Sequence, residues 1–414
     1  MYELIMLSSG ILLCFMFIFL LLTNSMIVFS WFVKKNNIQF EPKVSIVIPA
    51  YNEEKNIKDC LNSIFNSNYP KEKLEIIVVD DGSTDKTAIK AKKFSAIKII
   101  HGNHCGKSEA LNLGFKHASS EFIISLDADT VLEKDCIKNI VMPMANKSVG
   151  AISGATKVKN KHSILGAFQN IEYFYNNIVR HSFSVLFGHT IWFHGAIACY
   201  RKSALKKAGY LKTDTLAEDL DISMAMYRKG YSTLSINSAC AHTIAPQNLG
   251  NFIKQRSRWS AGVLQALNKH KDLLHPKSSP ALLFTFVNQM WWSLFAFISF
   301  PMFLLQIIYW LPSNSADFMS FGLYFLRWFS LLGPFYVVYN LPQWGFSIYN
   351  FFGVMSGLLT ALFMIIALGI FKEKVLFKNA LVLFFYFPYT ILLNASVILS
   401  VFRYKFYKQS FFIR

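Results

Sequence analysis

Apolar residues are distributed along this chain in two ways. Runs long enough to cross a bilayer, roughly 20 residues, lie near 4–33, 282–311, 318–340, 351–371 and 380–402. Between the first and second stands a polar, mixed-charge block of about 250 residues, room for one large domain. Within it, short apolar stretches alternate with helical spacing. Positions 44–48 predict a buried strand broken at Pro49, and Ile57, Cys60, Leu61 and Ile64 mark a helix over 56–66. A strand over 75–79, a helix over 84–94, a short strand over 97–100, a helix over 107–117 and a strand over 122–126 follow. Strands alternating with helices imply a mostly parallel sheet covered on both faces. Further on, 150–158 predicts another strand, and 163–186 an amphipathic helix whose aromatic stripe suits core or membrane contact. The basic amphipathic stretch 248–274 is expected on the inner membrane surface, linking the block to the later apolar runs.

Charge adds an orientation. The chain carries 42 Lys and Arg against 24 acidic residues, net +18, in a sequence that is 53% hydrophobic. Excess basic residues in the block place it on the cytoplasmic side, where they favour anionic lipid headgroups and anionic substrates. No nucleic-acid partner is implied. The first apolar run reads as an anchor, because it is long, has no basic residue before it and lacks a small-residue cleavage site. Lys34 and Lys35 then put the block inside and the N-terminus outside. Five spans place the basic tail (Arg403, Lys405, Lys408, Arg414) inside but Lys372, Lys374 and Lys378 outside. Four spans reverse that conflict, and five is the favoured count. Arg327 and Gly333-Pro334 mark the run 318–340 as kinked, interfacial or lining a polar path. The six scattered cysteines contain no Cys-x-x-Cys pair, so reduced packing thiols are expected, without zinc or a disulfide framework.

The candidate chemistry sits at strand ends. Asn52-Glu53, Asp80-Asp81 and Asp127-Ala-Asp129 each follow a predicted strand, and ligands of open α/β sheets bind at carboxyl ends. Two carboxylates at i and i+2 can share one hard divalent ion, whose remaining ligands come from water and substrate phosphates. The local alternative is that 127–130 only turns the chain and caps a helix. Gly82 and Ser83 or Asp85 carry a similar turn-and-cap reading, which leaves the adjacent carboxylates Asp80 and Asp81 unexplained. Glu218, Asp219 and Asp221 open a further helix, where acidic residues also complement the dipole.

Ala50-Tyr-Asn-Glu53, Val79-Asp-Asp-Gly-Ser83, Gly106-Lys-Ser-Glu-Ala-Leu-Asn112 and Leu126-Asp-Ala-Asp129 resemble successive signatures of the family 2 glycosyltransferases with a GT-A fold. Ala217-Glu218-Asp219 followed by Gln255-Arg-Ser-Arg258-Trp259 resembles the second pair of signatures of membrane-integrated polysaccharide synthases. Size and layout look most like poly-N-acetylglucosamine synthases, with hyaluronan and chitin synthases next. The resemblance implies a cytoplasmic α/β GT-A domain plus an α-helical transmembrane domain. The expected division is an anchor over 1–35, the GT-A domain over 36–247, the interfacial helix over 248–280 and a membrane bundle over 281–414. It further implies donor contacts from Tyr51, Asn52, Glu53, Asp80, Asp81, Lys107, Asp127 and Arg258. Mg2+ or Mn2+ would sit on Asp127 and Asp129. His242 is first a structural histidine, with a third metal ligand as the alternative. Asp219 becomes the general base, with Glu218 beside it, and Gly195, Gln255 and Trp259 line the acceptor. Ala217 replaces the usual Thr of the family, which touches acceptor positioning.

The expected function is a processive, inverting β-glycosyltransferase that polymerises a UDP-sugar, UDP-GlcNAc favoured, at the plasma membrane. Its partners would be the donor, the growing glycan or a lipid acceptor, and membrane lipids, with room for a small membrane accessory subunit. No fused cyclic-dinucleotide receptor is expected. The alternatives are a non-processive enzyme moving one sugar to a membrane lipid, and a non-catalytic transporter or assembly subunit.

Overall fold

β1 (Val44–Ala50) lies between β2 (Leu74–Asp80) and β4 (Phe122–Leu126), parallel to both, and β3 (Ile97–His101) continues the parallel set beyond β2. The computed structural model describes residues 2–33, 39–310, 318–374 and 377–406, so Lys34, Lys35, Lys408 and Arg414 lie outside the described residues. β1 runs through Pro49 instead of breaking there. Its pairing with β4 ends at Val47, so the proline sits beyond that ladder.

The expected mostly parallel sheet is corrected to a mixed one of eight strands, ordered β3-β2-β1-β4-β7-β6-β8-β5. It is completed by β5 (Val131–Leu132), β6 (Val149–Val158), β7 (Ile197–Arg201) and β8 (Ser232–Thr243). β7 runs antiparallel to both β4 and β6, while β6 and β8 are parallel. An antiparallel strand starts where its parallel neighbours end. Residues 193–196 therefore enter at the same rim as the acidic tips, and the Asp127 N–H donates to the Ala196 carbonyl at 3.1 Å.

Period-two alternation divides the sheet's side chains between two cores. Ile46, Ile48, Ile76 and Val78 face α2 (Ile57–Phe65) and α5 (Cys136–Val141). Val47, Ile77, Val79 and Ile123 face α4 (Lys107–His117), α7 (Lys202–Ala208) and α8 (Glu218–Arg228). α3 covers only Thr87–Ala91, against the 84–94 expected. Residues 84 and 85 are committed elsewhere: the Thr84 N–H donates to Asn52 Oδ1 at 2.9 Å, and the Asp85 carboxylate takes the N–H groups of Glu54 and Thr87.

α6 (Ile164–Phe187) joins the two halves of the molecule. Ser163 caps it by accepting from the Gly166 N–H at 2.9 Å. One face packs Phe174, Ile178 and Phe183 with Ile27 of α1 (Tyr2–Trp31) and Phe363 and Ala367 of α13 (Ile348–Ile370). The other is polar and meets the sheet, where the Asn177 side chain donates to the Thr156 carbonyl at 2.8 Å. Beside it runs α9 (Leu249–Lys269).

α1, α10 (Pro280–Trp310) and α13 are each long and apolar enough to cross a membrane. The two other expected runs are each divided. α11 (Phe318–Phe329) and α12 (Leu332–Trp344) meet at 98°, with Arg327 turned back onto Tyr336, its guanidinium 4.5 Å from that ring. α14 (Phe377–Phe384) and α15 (Tyr386–Phe406) meet at 60°, which corrects the single run expected there. Pro388 has no N–H to offer the Phe384 carbonyl, and that carbonyl accepts from the Leu331 N–H at 2.9 Å instead. The placement of Lys372, Lys374 and Lys378 on the side opposite the α/β domain is also corrected. Glu373 pairs with Lys161, Lys378 donates to the carbonyls of Lys161 and His162, and Lys157 reaches the Phe371 carbonyl at 3.5 Å. These polar contacts hold the turn after α13 against the α/β domain.

Candidate active site

The rim formed by the ends of β1, β2 and β4 is built by loops that bind one another. Asn52 takes the left-handed conformation, φ 55°, which lets its N–H meet Ser83 Oγ at 3.0 Å while its side chain accepts from Thr84. Asp80 and Asp81 are both buried but differ in use. Asp81 accepts the N–H groups of Cys105 at 3.0 Å and Gly106 at 2.8 Å, and so shapes the loop that opens α4. Gly102 is required there, since a Cβ would lie 2.9 Å from Asp81 Oδ1. Asp80 keeps Oδ2 near His101 at 3.4 Å and takes the Ser83 N–H on Oδ1 at 3.2 Å. Tyr51 is exposed, with its ring centroid 4.2 Å from that of His104. This pair places two aromatic rings, tilted by 31°, at the rim, and no sequence signal marked His104.

Lys107, the first residue of α4, reaches Asp127 Oδ1 at 2.5 Å. Burial works against its ammonium, but Asp127, Glu218 and Asp219 outweigh it and raise the pKa above the usual lysine range. This one cation thus pairs with the β4 tip and feels the carboxylates at the start of α8. Asp129 accepts from the Thr130 hydroxyl at 3.0 Å and lies 3.5 Å from that of Thr243. Burial and the neighbouring Asp127 push it up to about 6. Glu53 is likewise raised, by burial first and then by Asp127 and Asp85, against its bond from Asn56. Crowded carboxylates with raised pKa values are what an unneutralised cation site presents. His242 is held by Glu133 at 3.2 Å, and Glu133 also takes Lys157 at 2.7 Å. Among the described residues no group of three His, Cys, Asp or Glu side chains converges as a metal cage.

Asp219 stands one residue into α8. Its Oδ2 accepts the Gly195 N–H at 2.7 Å and its Oδ1 the Leu220 N–H at 2.8 Å. Burial and Glu218 push its pKa up to about 7, while Lys107 and the two N–H groups oppose them. Gly195 precedes β7, and a Cβ there would lie 3.2 Å from that of Asp219. Asp221 serves a different purpose, binding His270 at 2.7 Å and Lys269 away from the rim.

α9 reaches this site by close backbone approach. A Cβ on Gly262 would lie 2.8 Å from both Leu216 C and Ala217 N, and Gln265 accepts from the Leu216 N–H at 2.8 Å. The stretch leading into Asp219 therefore rests directly on α9. Trp259 is partly exposed, 6.4 Å from the Tyr173 ring, and Gln255 Oε1 is buried without a partner. Arg258 is exposed, and among the described residues it makes no ion pair or hydrogen bond. The arginine of this motif that is buried is Arg256, which sequence reading passed over. Its Nη atoms meet Glu172 at 2.7 and 2.8 Å, and its guanidinium lies 4.5 Å from the Trp259 ring. Helical spacing held the signal, since Phe252, Arg256 and Trp259 follow i, i+4, i+7 and leave Arg258 on another face.

Residues 45–209 match the model of glycosyl transferase family 2. The poly-beta-1,6-N-acetyl-D-glucosamine synthase of Staphylococcus epidermidis is 35% identical over 236 residues, 56% of this chain and 56% of that protein. The synthase of the same name from Staphylococcus aureus strain COL is 33% identical over 226 residues, 53% and 54% of the two chains. The alignments thus span little more than half the length of these relatives. A mannosyltransferase from Pyrobaculum calidifontis, solved in complex with GDP-Man and Mn2+, superposes over 97% of this chain and 99% of its own. The TM-score is 0.65 at 20% identity, which establishes a GT-A-like α/β fold with appended apolar helices.

Proposed function

We propose that this chain, whose residues 45–209 form a family 2 glycosyltransferase domain, is an inverting β-glycosyltransferase that extends a polysaccharide from UDP-GlcNAc at the cytoplasmic face of the plasma membrane. The observation that carries the reading is Asp219: a half-buried carboxylate, raised to about 7, aimed by Gly195 and set beside the Lys107–Asp127 pair. A sugar hydroxyl attacking the anomeric carbon must lose a proton as the bond to UDP breaks, and a carboxylate of that pKa is matched to taking it near neutral pH. The names of the relatives matched over about half their length support N-acetylglucosamine as the donor sugar.

Donor binding falls to the rim. Tyr51 offers a face for the base, Asp80 an acceptor for ribose or base, and Asp81 acts indirectly by fixing the α4 loop. Asp127 and Asp129 have the chemistry to hold Mg2+ or Mn2+, which when bound would offset charge growing on the leaving diphosphate. Lys107 provides a second positive charge beside it. Arg258, free to move on the exposed face of α9, is the guanidinium available to the diphosphate, and Gln255 and Trp259 lie toward the acceptor. Glu218 tunes the base. His242 acts by packing Glu133 and stays outside the metal shell.

The test is to incubate membranes containing the protein with labelled UDP-sugars and Mg2+ or Mn2+, then size the product. A ladder or high polymer from UDP-GlcNAc supports the reading. One discrete lipid-soluble product replaces polymerisation with single transfer, and no UDP release from any donor removes catalysis.

A further inference from the structure

Asn112 closes the stretch Gly106-Lys-Ser-Glu-Ala-Leu-Asn112, and donor binding leaves it without a role. Buried in α4, it binds the backbone of a residue far along the chain. Its Nδ2 donates to the Leu211 carbonyl at 2.9 Å and its Oδ1 accepts the Leu211 N–H at 3.1 Å. Only an amide side chain carries a carbonyl and an NH2 on one carbon, so few substitutes could satisfy both backbone groups. Leu211 stands near the start of residues 209–217, the link between α7 and α8. That link opens in left-handed backbone, Gly209 at φ 89° and Tyr210 at φ 60°. A bulky residue holds such a conformation only where its surroundings fix it, and Asn112 grips the very next residue.

The far end of the link is held by a second amide. Gln265 of α9 accepts the Leu216 N–H on Oε1 at 2.8 Å, three residues before Asp219, where Gly262 lets the two backbones touch. Between these ends the solvent-exposed Asp214–Lys269 pair, at 2.8 Å, contributes little. The link into α8 is thus tied to α4 at one end and α9 at the other. α4 begins at Lys107, which pairs with Asp127, and is locked onto the sheet at Gly114, where a Cβ would collide with Val47. α9 carries Gln255 and Trp259.

We infer that Asn112 and Gln265 are positioning residues for the proposed base. They fix the two ends of the link, and so set Asp219 at one place between the donor rim and α9. Both act through the backbone of residues 211–217 and on neither sugar. This inference rests on the transferase reading above and adds to it what places the base.

The experiment compares Gln265→Met, Gln265→Glu, Asn112→Ala and the double variant Asn112→Ala with Gln265→Met, in membranes supplied with UDP-GlcNAc. Rates are counted per UDP-binding site, so a variant that folds in smaller amount is not scored as slow. Gln265→Met should lower kcat about tenfold or more with donor KM and UDP affinity unchanged, as a base displaced by a fraction of an ångström would. Gln265→Glu keeps an oxygen for the Leu216 N–H and should recover most of the rate. Asn112→Ala leaves both backbone groups of Leu211 without partners and should slow transfer at least as far. Asn112→Ser, a milder truncation, serves the same comparison where the alanine variant does not fold. Since both amides fasten one link, the double variant should be about as slow as the slower single one, not slower by the product of the two. Wild-type kcat in Gln265→Met overturns the inference, as does a Gln265→Glu enzyme equally slow, a multiplicative double variant, or a Gln265→Met enzyme that loses UDP binding in step with transfer. Those outcomes leave an active wild type and the transferase reading intact, whereas a wild type that releases no UDP from UDP-GlcNAc defeats that reading and this inference with it.

Discussion

Glu172 on α6 receives both terminal nitrogens of Arg256 on α9, at 2.7 and 2.8 Å. The Tyr389 hydroxyl of α15 donates to the same carboxylate, and its ring stacks on Phe168 with centroids 5.1 Å apart. One buried ion pair thus fastens the sheet-facing helix, the helix carrying Trp259 and the last apolar segment. Breaking such a pair on one side leaves a charge uncompensated, at a cost of about 3–5 kcal/mol. Glu172→Gln should therefore lower the thermal unfolding midpoint of the detergent-solubilised protein markedly. Glu172→Met with Arg256→Met should recover most of the loss, because well-packed apolar side chains remove both charges. A single variant as stable as the wild type would show that the pair does not fasten these helices.

As the proposed base, Asp219 must be ionised to take a proton, and its pKa is raised to about 7. Transfer should therefore fall as pH drops through 7, approaching tenfold per unit on the acid side. Glu218 is one of the causes of the rise. Glu218→Gln should move the acid limb to lower pH, and Asp219→Asn should abolish transfer while UDP-GlcNAc still binds. An acid limb unmoved in Glu218→Gln, read from kcat/KM against pH, would separate the two carboxylates.

Gly262 lets α9 rest on the backbone leading into Asp219. Gly262→Ala places a Cβ 2.8 Å from Leu216 C and Ala217 N, so one of the two segments must shift. Misplacing a base by about 1 Å can cost about a hundredfold. The expected result is a kcat fall of that order with donor affinity retained, measured by titrating UDP and by initial rates.

Asp129→Ala should weaken the divalent dependence of donor binding, and Asp127→Ala should do so while also releasing Lys107. Isothermal titration of UDP with and without Mn2+ checks both, and an Asp129→Ala titration that matches wild type would place the metal elsewhere.

Glu373 and Lys378 hold the turn after α13 against residues 157–162. A cysteine introduced at Lys372, which is exposed, should react with a membrane-impermeant thiol reagent only from the side of the α/β domain. Modification from the opposite side of sealed vesicles would refute that arrangement.

Local information settled a good deal of this molecule. Short apolar runs fixed β1, β2, β4 and β6, helical spacing fixed α2, α4 and α6, and long apolar stretches located the helices long enough to cross a membrane, because each pattern records which positions are buried. The acidic tips were legible as carboxylates at strand ends, but only packing showed that Asp81 is spent on shaping the loop into α4. Tertiary structure decided what depends on partners distant in the chain. The reversed β7 that brings Gly195 to Asp219, the break at Pro388 answered by Leu331, and the turn at Glu373 drawn back to Lys161 each join residues over 20 positions apart. The same holds for Arg256 and Arg258. Sequence shows two arginines, and only packing reveals that one is buried against its carboxylate and the other is exposed.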